Sequence, residues 1–353
     1  MAAMTPERKA RIAELQAEST RQILGSTLSV KKASRFTLPE AAKAWIALIP
    51  ALIFLILFMM YPILNTFLIS FMENFTFVGG SGSSFAITNF IAALNNRRVI
   101  DPSIGFGNYI TVMTDQQFLT AIGNTALMVI VSVPLTIIIA LLIAVLLNAI
   151  KPLRGFFQTV FFLPYVTNTI ALGMVFRVIF SSSGGGLINS IFFGGNVHAW
   201  LTAQASRWAM FLVIVVYAVW NGLAFKILVF QGGLASIDKQ YYDAAKIDGA
   251  SRSTIFRRVT VPLLAPEMLY ITITSFIGAF KAYTQVISLF GAGSTNFGGS
   301  TGREWITVVG YVYLVMQDPT KVGRAASASF VLLLIILIIT LFQTLANKRK
   351  VKF

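Results

Sequence analysis

The chain has 353 residues, of which 56% are hydrophobic and 12% charged, and its formal net charge is +15. A soluble domain carries about 25% charged residues, so this composition, with a mean hydropathy of +0.76, excludes an ordinary soluble domain and predicts an integral membrane protein. With no cysteine and a single histidine, His198, disulfides and thiolate chemistry are excluded and no Cys/His cluster can complete a metal site.

Residues 1–43 form a basic extension. A helix is predicted over 6–24, with Thr5 to cap it, Pro6 in its first turn and Glu7 four residues before Arg11. Ile12, Leu15 and Ile23 give it only a thin apolar stripe, so it reads as a solvated segment, with docking on lipid headgroups or a partner as the alternatives. The following apolar runs, roughly 20 residues each, suit crossing helices rather than barrel strands. Six spans are predicted: 45–71, 118–147, 156–180, 208–230, 263–290 and 322–346. They make a transmembrane domain over 44–346, with a loop at 73–117 on one side, a polar loop at 236–266 on the other and a basic tail at 347–353. Pro50 and Pro62 are expected to kink the first span.

Lysine and arginine number eight in residues 1–43, two in 148–155, five in 231–265 and four after 347. All of these fall on one side of the six-span arrangement. The positive-inside rule then puts both termini in the cytoplasm of a cell with a cytoplasmic (inner) membrane. The basicity is therefore topological. Dispersed over four segments, it offers no groove for nucleic acid.

The loop between the fourth and fifth spans carries Asp243, Lys246, Asp248, Arg252, Arg257 and Arg258, so it must emerge into water. Ser236 or Asp238 can cap a helix to about Ile247, and Gly249 stands where a left-handed residue would end it. Ser251 can cap a second helix that Pro262 and Pro266 are expected to close. Asp243 and Asp248 lie some 140° apart around a helix at about 100° per residue, too divergent for an acid/base couple.

In residue type and spacing this stretch resembles the EAA loop of binding-protein-dependent ABC transporter permeases. The matching positions are Asp243, Ala244, Ala245, Asp248, Gly249, Ala250, Phe256, Val259 and Pro262. Two departures stand out: Asp243 where the family has Glu, and Asp238 where a proline commonly opens the helix. Further stretches resemble the sugar-transporter members: GFGNYITVMTDQQF and NTALM, FFLPYVTNTIALGMVF, GLIN, and GRAASASFVLLL. The resemblance covers roughly residues 50–345. It implies an all-α, six-span type I importer permease whose helix-turn-helix couples to an ATPase, with Asp243 facing a cation there and Asp248 supporting the turn. The implied assembly has a second homologous permease, two cytoplasmic ATPases and an extracytoplasmic solute-binding protein, all serving a carbohydrate.

No cofactor is expected on this chain. Its nearest approach to a phosphate loop, at 293–300, has Gly299 where the lysine must be, so ATP and Mg are expected on the separate ATPase. Within the spans Asn221, Lys281 and Gln285 stand out as polar. Asn221, Gly222 and Phe225 share one helical patch; Ser275, Ala279 and Ala282 share another, with Tyr283 adjacent. These positions resemble those lining the sugar site of maltose-type permeases. Asn221 is equally able to bond across helices, and Lys281 to snorkel or to pair with another subunit. A polyol or sugar-phosphate is the alternative cargo. An ion-coupled transporter using Lys281 is the rival mechanism, although intramembrane carboxylates and internal repeats, its expected marks, are not evident. An intramembrane enzyme has no catalytic cluster to support it.

Overall fold

The computed structural model describes residues 6–30, 39–73, 75, 103–150, 154–202, 204–290 and 305–348. The chain divides into two units, Met1–Ile63 and Leu64–Phe353. In the first, helix α1 (Pro6–Val30) runs past its expected end, and all its described side chains are exposed. The anticipated Glu7–Arg11 pair is not formed. The ion pairs among the described residues are Lys246–Asp243 and Lys321–Asp318. An exposed pair gains too little to hold two long side chains in one geometry.

Helix α2 (Glu40–Leu55), a π turn over Ile56–Met60 and α3 (Tyr61–Ser70) follow one another. Together they make an apolar helix of 31 residues whose most apolar stretch is wholly unburied. The π turn lies where Pro62 has no N–H to give the carbonyl of Phe58, so widening there accommodates the ring without breaking the helix.

The second unit is built on two long helices, α5 (Gln116–Ala149) and α9 (Arg207–Ser236). Helix α5 follows the short α4 (Gly107–Thr114) and is apolar all round. Its buried side is nevertheless a stripe at helical spacing, Ala121, Thr125, Met128, Ser132, Thr136 and Ala140, and this side packs on α9. The expected third span is two helices, α6 (Arg154–Val166) and α7 (Thr169–Ile179). Asn168 starts the second one, its Oδ1 accepting from the backbone N–H groups of Ile170 and Ala171. Helix α8 (Leu187–Phe192) follows.

After α9 come α10 (Lys239–Ile247), α11 (Arg252–Ile255), a π turn (Phe256–Thr260) and α12 (Val261–Leu263). Helices α13 (Ala265–Phe280), α14 (Thr284–Phe290), α15 (Val308–Met316) and α16 (Val322–Lys348) complete the unit. The expected fifth span is thus interrupted twice, by a 66° bend at Leu264 and again after Phe280. Among the described residues four helices are long and apolar enough to cross a membrane, five if the bent pair is one crossing.

Several stretches singled out in the sequence prove to be joints at the ends of the helices. Asn108 donates to the carbonyl oxygens of Met72 (2.9 Å) and Ser70 (3.3 Å), and Ser327 donates to Ser70 as well. Gly323 is needed there because a Cβ would lie 2.6 Å from the Asn108 amide. Asn189 of GLIN, wholly buried, donates to the carbonyls of Ser181, Ser183 and His198 and accepts from the Trp200 indole N–H at 2.8 Å. Asn124 of NTALM donates to Ile306 O and accepts from Arg207 at 2.9 Å. The Arg207 guanidinium lies over the Trp305 ring, which stacks on Phe211. His198 is exposed and packs on Phe193.

Candidate functional site

The α10–α11 hairpin folds largely as its residues dictate. Asp238 caps α10, its Oδ1 accepting from the Gln240 N–H at 3.0 Å. The other end closes in a Schellman arrangement: Ala250 N–H bonds to Ala245 O and Gly249 N–H to Lys246 O, both at 3.0 Å. Gly249 has φ +72°. A Cβ there would meet nothing within 4 Å, so the backbone conformation, not crowding, is what calls for glycine. Ser251 caps α11 by accepting from Thr254 N–H. Contrary to expectation, the prolines do not end the second helix. Pro262 sits in the first turn of α12 and Pro266 in that of α13, positions where a missing N–H is harmless.

The hairpin is largely a free surface. Asp243, Ala244, Asp248, Gly249 and Pro262 are exposed, and Ala245, Ala250, Phe256 and Val259 half-buried. Ile247 is 85% exposed. Asp243 pairs with Lys246 at 2.9 Å, and the backbone N–H of Asp248 bonds to Ala244 O, a contact independent of its carboxylate. The inner side is tied down: Phe256 packs on the main core, and Thr260 Oγ1 donates to the Tyr242 hydroxyl at 3.4 Å. At the joint below, Gly233 of α9 meets α12 and α13 so closely that a Cβ would stand 2.8 Å from both Leu264 and Glu267.

The second group of residues lies higher on α9 and at the end of α13. Asn221, Gly222 and Phe225 are half-buried on α9, as are Ser275 and Ala279 on α13. Lys281, Ala282 and Tyr283 fall in the break between α13 and α14, with Lys281 exposed and Ala282 buried. Phe225 lies between Tyr165 of α6 and Tyr270 of α13, at 6.2 and 6.4 Å between ring centroids. Tyr283 packs on Tyr313, with centroids 4.9 Å apart. Asn221 sits beside the Tyr217 hydroxyl, together with Ser288 of α14. Tyr217 itself donates to Thr169 O at 2.8 Å. The two patches thus belong to helices that meet, and aromatic rings border both.

Sequence reasoning overlooked Lys226. It is 9% exposed, one turn beyond Gly222 on α9, and its Nζ donates to the Gly222 carbonyl at 3.2 Å. A charged residue deep in an apolar 30-residue helix was the available signal. Asp318 differs in being half-buried, in the turn before α16. Lys321 at 2.7 Å and Thr320 bond its carboxylate and hold it well below the usual aspartate range.

Long apolar helices about a shared core, with a polar hairpin inserted between two of them, define a multi-pass helical membrane protein. Residues 132–352 match the family described as binding-protein-dependent transport system inner membrane component, and the chain belongs to that family. It is 34% identical over 247 residues to the arabinooligosaccharides transport system permease protein of Halalkalibacterium halodurans, covering 68% of this chain and 74% of that one. Its fold is similar to that of a bacterial ABC transporter involved in import of the acidic polysaccharide alginate, with a TM-score of 0.71 at 20% identity over 88% of this chain and 96% of that one. It is similar too to a chain of the bacterial alginate ABC transporter in complex with an alginate pentasaccharide-bound periplasmic protein (TM-score 0.69, 19% identity, 88% and 95% covered).

Proposed function

We propose that this chain is one permease subunit of an ATP-driven importer for a carbohydrate, an oligosaccharide in particular. The observation that carries the reading is the exposed hairpin set between two apolar helices, with Gly249 in the left-handed conformation. The 34% identical permease of an arabinooligosaccharide system supports the substrate class. A second permease of this type completes the pore, two cytoplasmic ATPases hold Mg and ATP, and an extracytoplasmic protein delivers the sugar. The chain crosses the membrane six times with both termini in the cytoplasm, a topology supported by the Lys and Arg asymmetry of the loops.

In this reading one of the two ATPases grips α10, and the other grips the matching helix of the second permease. The small side chains of Ala244 and Ala245 allow close entry, and the exposed Asp243–Lys246 pair, worth little by itself, exchanges for a cation on the ATPase. ATP-driven closure moves α10, and the tight Gly233–Leu264 contact passes the motion to α9. The rocking helices then expose Asn221, Gly222, Phe225, Ser275, Ala279, Lys281, Ala282 and Tyr283 to each side in turn. An aromatic face suits the C–H surface of a sugar ring, and the neighbouring amide, hydroxyl and ammonium groups suit its hydroxyls. An ion-coupled mechanism finds less support, since the apolar helices hold no carboxylate among the described residues other than Glu40 and Glu267, each in the first turn of its helix.

The test is reconstitution of the chain with a second permease, ATPases and a binding protein in proteoliposomes, followed by uptake of labelled oligosaccharides. Uptake strictly dependent on ATP is expected; failure with every saccharide would sink the reading. Because native cysteine is absent, single cysteines at Asn196 and Ser251 report topology. An impermeant thiol reagent added outside should label the first and spare the second.

A further inference from the structure

Lys226 is a buried cation to which no role has been given. An ammonium has three donors and no acceptor, and in a membrane-spanning helix such a group is retained against its desolvation penalty where it has something to bind. One acceptor, Gly222 O, is present. No carboxylate pairs with Lys226, since both ion pairs among the described residues lie elsewhere. The nearest acid along α9 is Glu267, packed against Gly233, seven residues or about 10 Å further along the helix.

The position of the ammonium is specific. A Cβ at Gly222 would stand 3.0 Å from Lys226 Nζ and 3.2 Å from Thr136 Cγ2, so the missing side chain of Gly222 makes a notch with the ammonium at its floor and α5 as its wall. Gly222 and its neighbour Asn221 are only half-buried, so the notch opens to the space beside the helix. The Thr136 hydroxyl donates to its own helix at Ser132 O, leaving the ammonium as the charged donor of the notch.

We propose that Lys226, set in the Gly222 notch, binds a carboxylate of the transported molecule, so that the pore is fitted to an acidic saccharide. This rests on the carbohydrate-importer reading above and narrows it. The exposed Lys281 in the α13–α14 break adds a second positive charge that has no carboxylate partner among the described residues. Charge-assisted hydrogen bonds are shorter and stronger than neutral ones, so the notch favours a uronate over its uncharged counterpart.

The experiment uses the reconstituted complex with one binding protein held constant and compares uptake of an oligogalacturonate with that of its methyl ester. The wild-type complex should favour the acid by at least about tenfold, the scale of one charge-assisted hydrogen bond. Lys226→Met should bring the ratio close to one, and Lys226→Arg should retain most of it. Equal handling of both probes by the wild type, or uptake of neutral saccharides only, overturns the proposal and leaves the carbohydrate importer standing. A Lys226→Met complex that keeps its preference but loses its second permease on purification assigns the charge to a carboxylate of that subunit, and also overturns it. Uptake of no saccharide, charged or neutral, overturns both readings.

Discussion

The two ends of the helix pair α5–α9 are built on opposite principles. Where the pair begins, polar groups are buried and bonded: Asn124 to Ile306 O and Arg207, Thr125 Oγ1 to Val308 N–H at 3.0 Å, and Tyr311 to Asp115 at 2.7 Å. At the hairpin end α10 has no buried residue, and its charges meet only in one exposed pair. Close by, Gln231 Nε2 and Glu267 Oε2 are buried without a hydrogen-bond partner. One end is tied by its own bonds, whereas the other presents an exposed helix over a few buried polar atoms that find no partner within the chain. That is the division expected of a chain driven from one side.

Disrupting the rigid end should be the more destructive change. Asn189→Ala would strip the carbonyls of Ser181 and His198 and the Trp200 indole of a partner at once, while Ser183 O keeps the Gly186 N–H. At about 1–3 kcal/mol for each buried group left unsatisfied, the loss should reach about 3 kcal/mol and lower the melting temperature of the purified protein markedly. An unchanged melting curve would show that this joint does not hold the fold. Gly173→Leu comes next, because a Cβ there would lie 2.0 Å from Ser288 Oγ. Overpacking of about 1–3 kcal/mol is expected, and Ser288→Gly should recover part of it. Asn124→Ala, leaving Ile306 O unpaired, should cost about 1–2 kcal/mol. The smallest effect belongs to the hairpin: Asp243→Ala removes a pair whose side chains are 63% and 66% exposed. Stability should change by less than about 0.5 kcal/mol, while ATPase co-purification falls. A large loss of stability would mean that the hairpin is a structural part after all.

The hairpin was legible because its signals are local: a capping Asp238, a Gly249 at the turn and a capping Ser251 each act on residues within a few positions. The long helices were legible from hydropathy, but their interruptions were not. Asn168 starts a new helix within the expected third span, and the close approach of Gly233 to Leu264 at the bend comes from another helix, which no periodicity records. For the same reason Asn189 and Gly323 could be recognised as motif residues without their role being evident. Their partners lie on other segments. Lys226 was hidden among the charges of the chain until burial set it apart.

The claim on which the account turns is that α10 transmits ATPase motion and that Gly249 sets its direction. A β-branched residue is strongly disfavoured at φ +72°, whereas asparagine enters that region with little strain. The direct measurement is ATPase co-purification and ATP-driven uptake in proteoliposomes for Gly249→Val and Gly249→Asn, side by side. The account predicts that both variants insert and assemble with the second permease, that the asparagine variant transports, and that the valine variant loses the ATPase or hydrolyses ATP without uptake. Full ATPase binding with full uptake in the valine variant would contradict it.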